Sequence, residues 1–427
     1  VTIVGRGTTD GVLSPETVSD IVQRGLDALP LDGRRVLAIV PDGTRTMPMP
    51  FMFDALEQSI GRRVARLDYL IALGTHSPMS DADLTRRFGR PVAGGRTGER
   101  QIVNHRWDDP STFVDLGTIP ASTIAEVTGG LLNEAVPVAL NRLVVEYDHI
   151  LISGPVFPHE VVGFSGGTKY LFPGIAAPEI IHFTHWLGAL LTSFSVIGTI
   201  DTPVRRVIDL AASLLPTPVS LLALVVAGDG IAGMYVGDTE AAWREAARLS
   251  ASRHIEWVDR PFDRVLSIMP PMYDDLWTAA KGMYKTEPVV ADGGEVVIYA
   301  PHVDEVSRVH GRILDEIGYH CRDYFVAQWE RFRRYPGGIL AHSTHLKGLG
   351  TFDADRHRED PRIQVTLATG IPRDRCRRVN LGYMDHTAID PVEWTERSDA
   401  GTLVVPHAGE RLFRLREKAP SDAQRPA

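Results

Sequence analysis

Lysine is scarce in this chain and its placement is informative. The sequence has 45 lysine and arginine residues, of which only five are lysine: Lys169, Lys281, Lys285, Lys347 and Lys418. Arginine is therefore the default cation, and a lysine marks a position where an amine is needed. A guanidinium stays protonated, whereas a lysine amine can lose its proton and attack a carbonyl or thiocarboxyl carbon. Lys169 lies in GFSGGTKYLFPG, residues 163–174, which looks like a phosphate loop but breaks that pattern because Thr168 separates Gly167 from the lysine. A phosphate clamp and a covalent tether both remain readings of Lys169, and the glycines of the run could let backbone amides approach a phosphate.

Histidines supply the second kind of chemistry. His76 ends ALGTH and His159 begins HEVVG after a proline, each following an apolar run directly and each beside Gly or Pro. Such positions suit general acids and bases, whose neutral and charged forms are both accessible near neutral pH. His182 and His185 stand three apart in APEIIHFTHWLG, a stretch expected to be helical, so they share one side of it. The usual helical zinc motif spaces its histidines four apart with a glutamate between, which this pair does not match. PDGTRTMP brings together Asp42, Gly43, Thr44 and Arg45, either as a turn with its own ion pair or as ligand-binding groups. Trp277, Thr278 and Lys281 fall in LWTAAK.

The elements that must position these residues read as a parallel α/β architecture. Short Val, Ile and Leu runs recur between longer mixed stretches: VLAIV at 36–40, LDYLIAL at 67–73, HILIS at 149–153, VLSIM at 265–269 and VVIYA at 296–300. The first three lead at once into the segments carrying Asp42 and Arg45, His76, and His159 with Lys169. In an open parallel sheet such loops share the carboxyl edge, where ligands bind. VLSIM leads into PPMYDDLWTAAKGMYK, with Lys281 on a helix, and offers a second wall for a cleft. The stretch 239–254 has helical spacing, with Thr239 expected as its N-cap. The length of 427 residues predicts two α/β domains, 1–260 and 261–416, with the site between them and a polar, disordered tail at 417–427.

Composition narrows the partners. A net charge of −9 and a pI near 5.9 disfavour nucleic acid and anionic membranes and point to a small-molecule substrate. Cys321 and Cys376 form no CxxC, so neither a disulfide framework nor a thiolate metal site is expected, and a reducing, cytoplasmic setting is the simple expectation. The apolar stretch from Trp186 to Ile200 is broken by Gly188, Thr192, Ser193, Ser195, Gly198 and Thr199, and is expected to be buried core, not a membrane span.

Taken in order, DGTR (42–45), ALGTH (72–76), PHEVVGFSGGTKYLFPG (158–174), His185 and the AxK of LWTAAK (276–281) resemble the lactate racemase family that uses the nickel-pincer nucleotide. The resemblance implies a two-domain α/β fold with its site in the interdomain cleft. It implies that Lys169 tethers a pyridinium mononucleotide through a thioamide, that His185 completes the nickel coordination, and that Asp42, Gly43, Thr44 and Arg45 hold the nucleotide. His76 and His159 are then the acid/base pair, and Lys281, assisted by Arg45, binds the carboxylate of a 2-hydroxy acid. His182 receives no role. Separate biosynthetic proteins would have to supply the cofactor. Members acting on lactate carry a Tyr-Gln pair where this chain has Trp277 and Thr278, so a bulkier 2-hydroxy acid is the expected substrate, with a sugar acid as the alternative. Two other classes stay open: a carrier of the nickel cofactor, and a nicotinamide dehydrogenase, although no strand here leads into GxGxxG with an acidic residue about 20 positions on.

Overall fold

The computed structural model describes residues 3–396 and 401–416. The expected tail at 417–427 lies outside the described residues. The fold is α/β, built on an eight-stranded sheet in the order Val4–Gly7, Gly230–Gly237, Val219–Ala227, His149–Pro155, Arg35–Pro41, Arg66–Ala72, Arg100–Asn104, Arg96–Thr97. The five strands from Val219–Ala227 to Arg100–Asn104 run parallel, and antiparallel strands close both edges. A second sheet of five strands, all parallel, runs Gly382–Tyr383, Gln364–Thr369, Val290–Ala300, Phe262–Ile268, Thr402–Val405.

The near-continuous apolar strands follow from burial on both faces of the large sheet. Leu37 and Ile39 point into one core with Val207 and Ile208, while Val36, Ala38 and Val40 point into the other with Val22, Met52 and Leu56. Helices Pro15–Asp27 and Met49–Ile60 cover the second face, and Pro178–Leu191, Pro203–Ala212 and Thr239–His254 cover the first. Each such fully buried Leu or Ile side chain contributes about 1.5–3 kcal/mol. Helix Thr239–His254 is capped one residue earlier than expected: Asp238 accepts from the Glu240 and Ala241 N–H groups, and Thr239 is already helical. A short carboxylate satisfies two of the free N–H groups and also complements the positive end of the helix dipole.

Register fixes what leaves the sheet together. Pro41 lies opposite Ala72, and Ile39 lies opposite Ile152, so three neighbouring strands end within a few residues of one another. The segments that follow them emerge side by side. From the other half of the chain, helix Gly337–Lys347 packs on helix Pro178–Leu191 at close range. Gly337 and Gly338 make that approach possible, because a Cβ on Gly337 would stand 2.6 Å from the His182 carbonyl oxygen. Among the described residues, no helix is long and apolar enough to cross a membrane.

Candidate active site

Asp42, Arg45, His76, His159, Lys169, His185, Trp277, Thr278 and Lys281 line one cavity with an empty volume of about 1050 Å³. Its floor is the carboxyl edge of the large sheet, and its roof comes from segments 277–284 and 338–345. Gly43 and Thr44 stand outside that wall. Thr44 instead buttresses Asp42, donating its N–H at 3.1 Å and its hydroxyl at 2.7 Å to Oδ1. Arg45 in turn donates to the Thr44 carbonyl and hydroxyl oxygens at 3.2 and 3.0 Å. His182 is likewise outside the cavity, where its Nδ1 accepts the Gly338 N–H at 3.4 Å and so joins the two packed helices.

The loop carrying Lys169 is locked from below. Arg205 donates to the Phe164 and Gly166 carbonyls at 2.6 and 3.3 Å and stacks on Trp243 at 4.1 Å, while Trp243 Nε1 donates to the Ser165 carbonyl at 2.8 Å. Thr168, the residue that spoils the phosphate-loop pattern, donates to Asp209 at 2.6 Å. Gly166 and Gly167 have φ of 81° and 60°, and a Cβ there would run into Val156 and Trp243 respectively. Their lack of a side chain is thus used in packing and backbone conformation, which leaves no need to invoke a phosphate to explain them.

Burial and neighbouring cations shift Lys169, His185 and Lys281. Burial, reinforced by Arg45 and Arg205, pushes the Lys169 amine down to about 7, against the pull of Glu160 and Asp42. A large fraction of it is therefore neutral near pH 7 and able to attack. His185 donates from Nδ1 to the Ile181 carbonyl at 2.7 Å, which leaves the Nε2 lone pair free, and burial with Lys169 pushes it down to about 4. A neutral imidazole with its other nitrogen tied to a carbonyl is the form that binds a metal. Burial and Arg45 also press the Lys281 amine well down, and its Nζ sits 4.2 Å over the Tyr273 ring.

His76 and His159 differ in their Nδ1 partners. His76 Nδ1 lies 2.6 Å from Asp42 Oδ2. Burial works to raise the Asp42 carboxyl, but the charge and hydrogen bond of His76, with Arg45 and Thr44, hold it well below the ordinary range. Ionised Asp42 can only accept, so His76 holds a proton on Nδ1, and Nε2 is the nitrogen through which it can exchange one. His159 Nδ1 instead accepts the Val161 N–H at 3.2 Å, and the Glu160 carboxylate stands 3.3 Å away. Burial, then Lys169 and Arg45, lowers the His159 imidazole well below its usual value.

Several cavity groups escaped the reading of the sequence. Glu160 sits among Lys169, Lys281, Lys285 and His345, which hold it ionised despite its burial. His342 and His345 enter from helix Gly337–Lys347; His342 donates from Nε2 to the Trp277 carbonyl at 3.1 Å and stacks on the Trp277 ring with centroids 4.1 Å apart. Thr278 lines the cavity but spends its hydroxyl on Asp275, 3.1 Å from both the carbonyl and the carboxylate oxygen. The i, i+3 histidine pair in LAHSTHLK was the available signal for two of these groups.

The family described as the lactate racemase N-terminal domain matches residues 17–195, which include Asp42, His76, His159, Lys169 and His185. A lactate racemase from Thermoanaerobacterium thermosaccharolyticum is 25% identical over 67% of this chain and 66% of its own length. Another, from Lactiplantibacillus plantarum, is 24% identical over 64% of this chain and 62% of its own. The matched region thus spans just under two thirds of these relatives. Among solved structures, a protein from Thermotoga maritima determined by structural genomics is 30% identical, with a TM-score of 0.87 over 95% of this chain and 99% of that one. The lactate racemase apoprotein from Thermoanaerobacterium thermosaccharolyticum shares the fold, with a TM-score of 0.71 at 20% identity over 96% of this chain and 94% of its own.

Proposed function

Because the chain belongs to the lactate racemase family, we propose that it is a racemase or epimerase of a 2-hydroxy acid, working with a nickel-pincer nucleotide tethered to Lys169. The observation that carries this reading is one cavity holding both a buried amine pushed down to about 7 and His185 with its Nε2 free. These residues fit the group: Lys169 as the nucleophile that forms the tether, and His185 as the nitrogen donor to a nickel ion that accepts sulfur and nitrogen ligands. Once bound, the group would supply hydride chemistry at the substrate's Cα.

The chain's own residues do the rest. His76, oriented by Asp42, receives the hydroxyl proton of one enantiomer at Nε2, and His159 serves the other, whose hydroxyl points the opposite way. Lys281 binds the carboxylate. In the free site its buried amine is depressed, and the arriving carboxylate supplies the counter-charge that restores the ammonium. Lys281→Ala is expected to raise KM with a smaller effect on kcat. A charge-assisted hydrogen bond to a carboxylate contributes about 1.5–3 kcal/mol, or roughly ten- to hundredfold in KM. Loss of bound cofactor in this variant, with KM unchanged, would place the carboxylate elsewhere.

The substrate side of the cavity supports an acid bulkier than lactate. Thr278 is short and its hydroxyl is already bonded to Asp275, and the Trp277 ring is held against His342, so neither offers the reach of a long amide. Protein loaded with nickel cofactor is expected to racemise 3-phenyllactate faster than lactate, measured by chiral chromatography. Faster turnover of lactate overturns the substrate assignment. Absence of any 2-hydroxy acid racemisation by protein whose intact mass and nickel content prove loading overturns the enzyme itself and leaves a cofactor carrier.

A further inference from the structure

We infer that Glu160 is the positioning residue for His159: its carboxylate takes the Nδ1–H that this histidine must hold in order to exchange a proton at Nε2. The inference rests on the acid/base role proposed for His159 and adds the group that makes the role workable.

The argument starts from tautomers. In a neutral imidazole one nitrogen carries the proton and the other is the acceptor, and the partner of each nitrogen decides which is which. His159 Nδ1 accepts the Val161 N–H at 3.2 Å, so the ring proton resides on Nε2. In that form Nε2 cannot take a hydroxyl proton, and giving up the proton it has would leave an imidazolate. A base that starts neutral and ends as imidazolium carries a proton on Nδ1 throughout. An acid that starts as imidazolium and ends neutral does so too. Both directions of the reaction therefore need an acceptor at Nδ1, and a backbone N–H is the wrong kind of partner.

Glu160 Oε2 is the acceptor within reach, 3.3 Å from His159 Nδ1. The two Nδ1 partners are nearly equidistant, and turning the Glu160 carboxylate toward Nδ1 while the ring moves off the Val161 N–H exchanges one for the other. The hairpin in which His159 pairs with Gly163 and Pro158 with Phe164 carries both partners in its turn and holds them beside the ring. In the same cavity, His76 already has the corresponding arrangement, with Asp42 Oδ2 at 2.6 Å from its Nδ1. A reaction that uses two histidines thus finds a carboxylate beside each. The charged and titratable groups around Glu160, besides His159, are His345, Lys169, Lys281, Lys285, Arg45, His185, Tyr273 and Tyr284. They define the competing role: a plain counter-ion for the lysines, whose loss would disturb substrate binding and leave His159 alone.

The experiment separates the two roles on the chain without cofactor and then on the loaded protein. Long-range ¹H–¹⁵N spectra of histidine-labelled protein read the tautomer of His159 directly, with His159→Gln assigning the signal. Wild-type protein is expected to show a fraction of the Nδ1–H form beside the Nε2–H form that the Val161 N–H favours, and Glu160→Gln to lose that fraction, because an amide N–H can donate to Nδ1 in the same way as Val161. Glu160→Asp is expected to retain part of the Nδ1–H form, which guards against a misfolded glutamine variant. In loaded protein acting on 3-phenyllactate or lactate, Glu160→Gln is expected to lower kcat at least a hundredfold with KM within about threefold of wild type. Neutralising the carboxylate behind a protease's catalytic histidine, which leaves the wrong tautomer, costs about 10⁴. A His159 confined to Nε2–H in wild type and variant alike would overturn the inference, as would an unchanged kcat with a raised KM. Inactivity of the loaded wild-type protein would instead tell against the racemase reading, and the spectra would still decide the role of Glu160.

Discussion

Lys169→Arg is expected to leave the protein with no covalently attached cofactor under conditions that load the wild type completely. The substitution keeps a cation in the loop, and Arg205, Trp243 and Asp209 hold that loop independently of residue 169. What it removes is a nucleophile: a guanidinium does not deprotonate in a protein and cannot form the thioamide. A phosphate clamp would behave differently, since arginine binds phosphate well and partial retention would follow. Intact mass of protein made with and without the cofactor pathway decides between them. Added mass on Lys169→Arg would end the tether assignment. His185→Ala provides the contrast, since it should keep the added mass while retaining less nickel by elemental analysis. The amine environment sets a pH dependence as well. With Lys169 pushed down to about 7, its neutral fraction grows as pH rises through that value, so the loading rate of apoprotein should climb across this range and level off above it. A loading rate that keeps rising toward pH 10 would mean that the amine is not depressed.

The layout of the cavity was legible where it depended on local pattern. Apolar runs followed at once by polar turns placed Asp42, His76 and His159 at strand ends, and parallel register brought those ends together, as in Pro41 opposite Ala72. What stayed hidden depends on contacts between distant segments. His342 and His345 lie more than 150 residues beyond His185, and they reach the cavity because Gly337 and Gly338 let one helix press on another. No periodicity in either helix reveals that pairing. Glu160 was hidden for a different reason, since its charge read as an ordinary turn residue until its cationic surroundings were assembled. The glycines at 166 and 167 carry a second meaning. Their pattern suggests phosphate binding, and Val156 and Trp243 also fill the space a side chain would need.

His76→Ala and His159→Ala are each expected to abolish interconversion of the enantiomers, while each leaves one enantiomer able to be oxidised once. In the proposed reaction the hydroxyls of the two enantiomers point in opposed directions, so neither histidine would substitute for the other. Removing a positioned general base ordinarily costs about 10² to 10⁴ in rate, and racemisation passes through both. The fate of the Cα hydrogen then tests what these histidines do not do. A Cα proton beside an ionised carboxylate is a very weak acid, and among the described residues no group of three or more His, Cys, Asp or Glu is placed to bind a metal ion, so no carboxylate cluster of the kind that stabilises a dianion is present. Hydride transfer avoids that anion. The imidazole protons equilibrate with solvent, whereas a hydrogen that travels as hydride does not. Racemisation by loaded protein in heavy water should therefore give product with almost no deuterium at Cα, read by mass spectrometry or proton NMR. In a single turnover, His159→Ala should release keto acid from the enantiomer served by His76, and His76→Ala from the other. Deuterium entering Cα at the rate of racemisation would show that a histidine removes the Cα proton itself, and the assignment of both bases to the hydroxyl would fall with it.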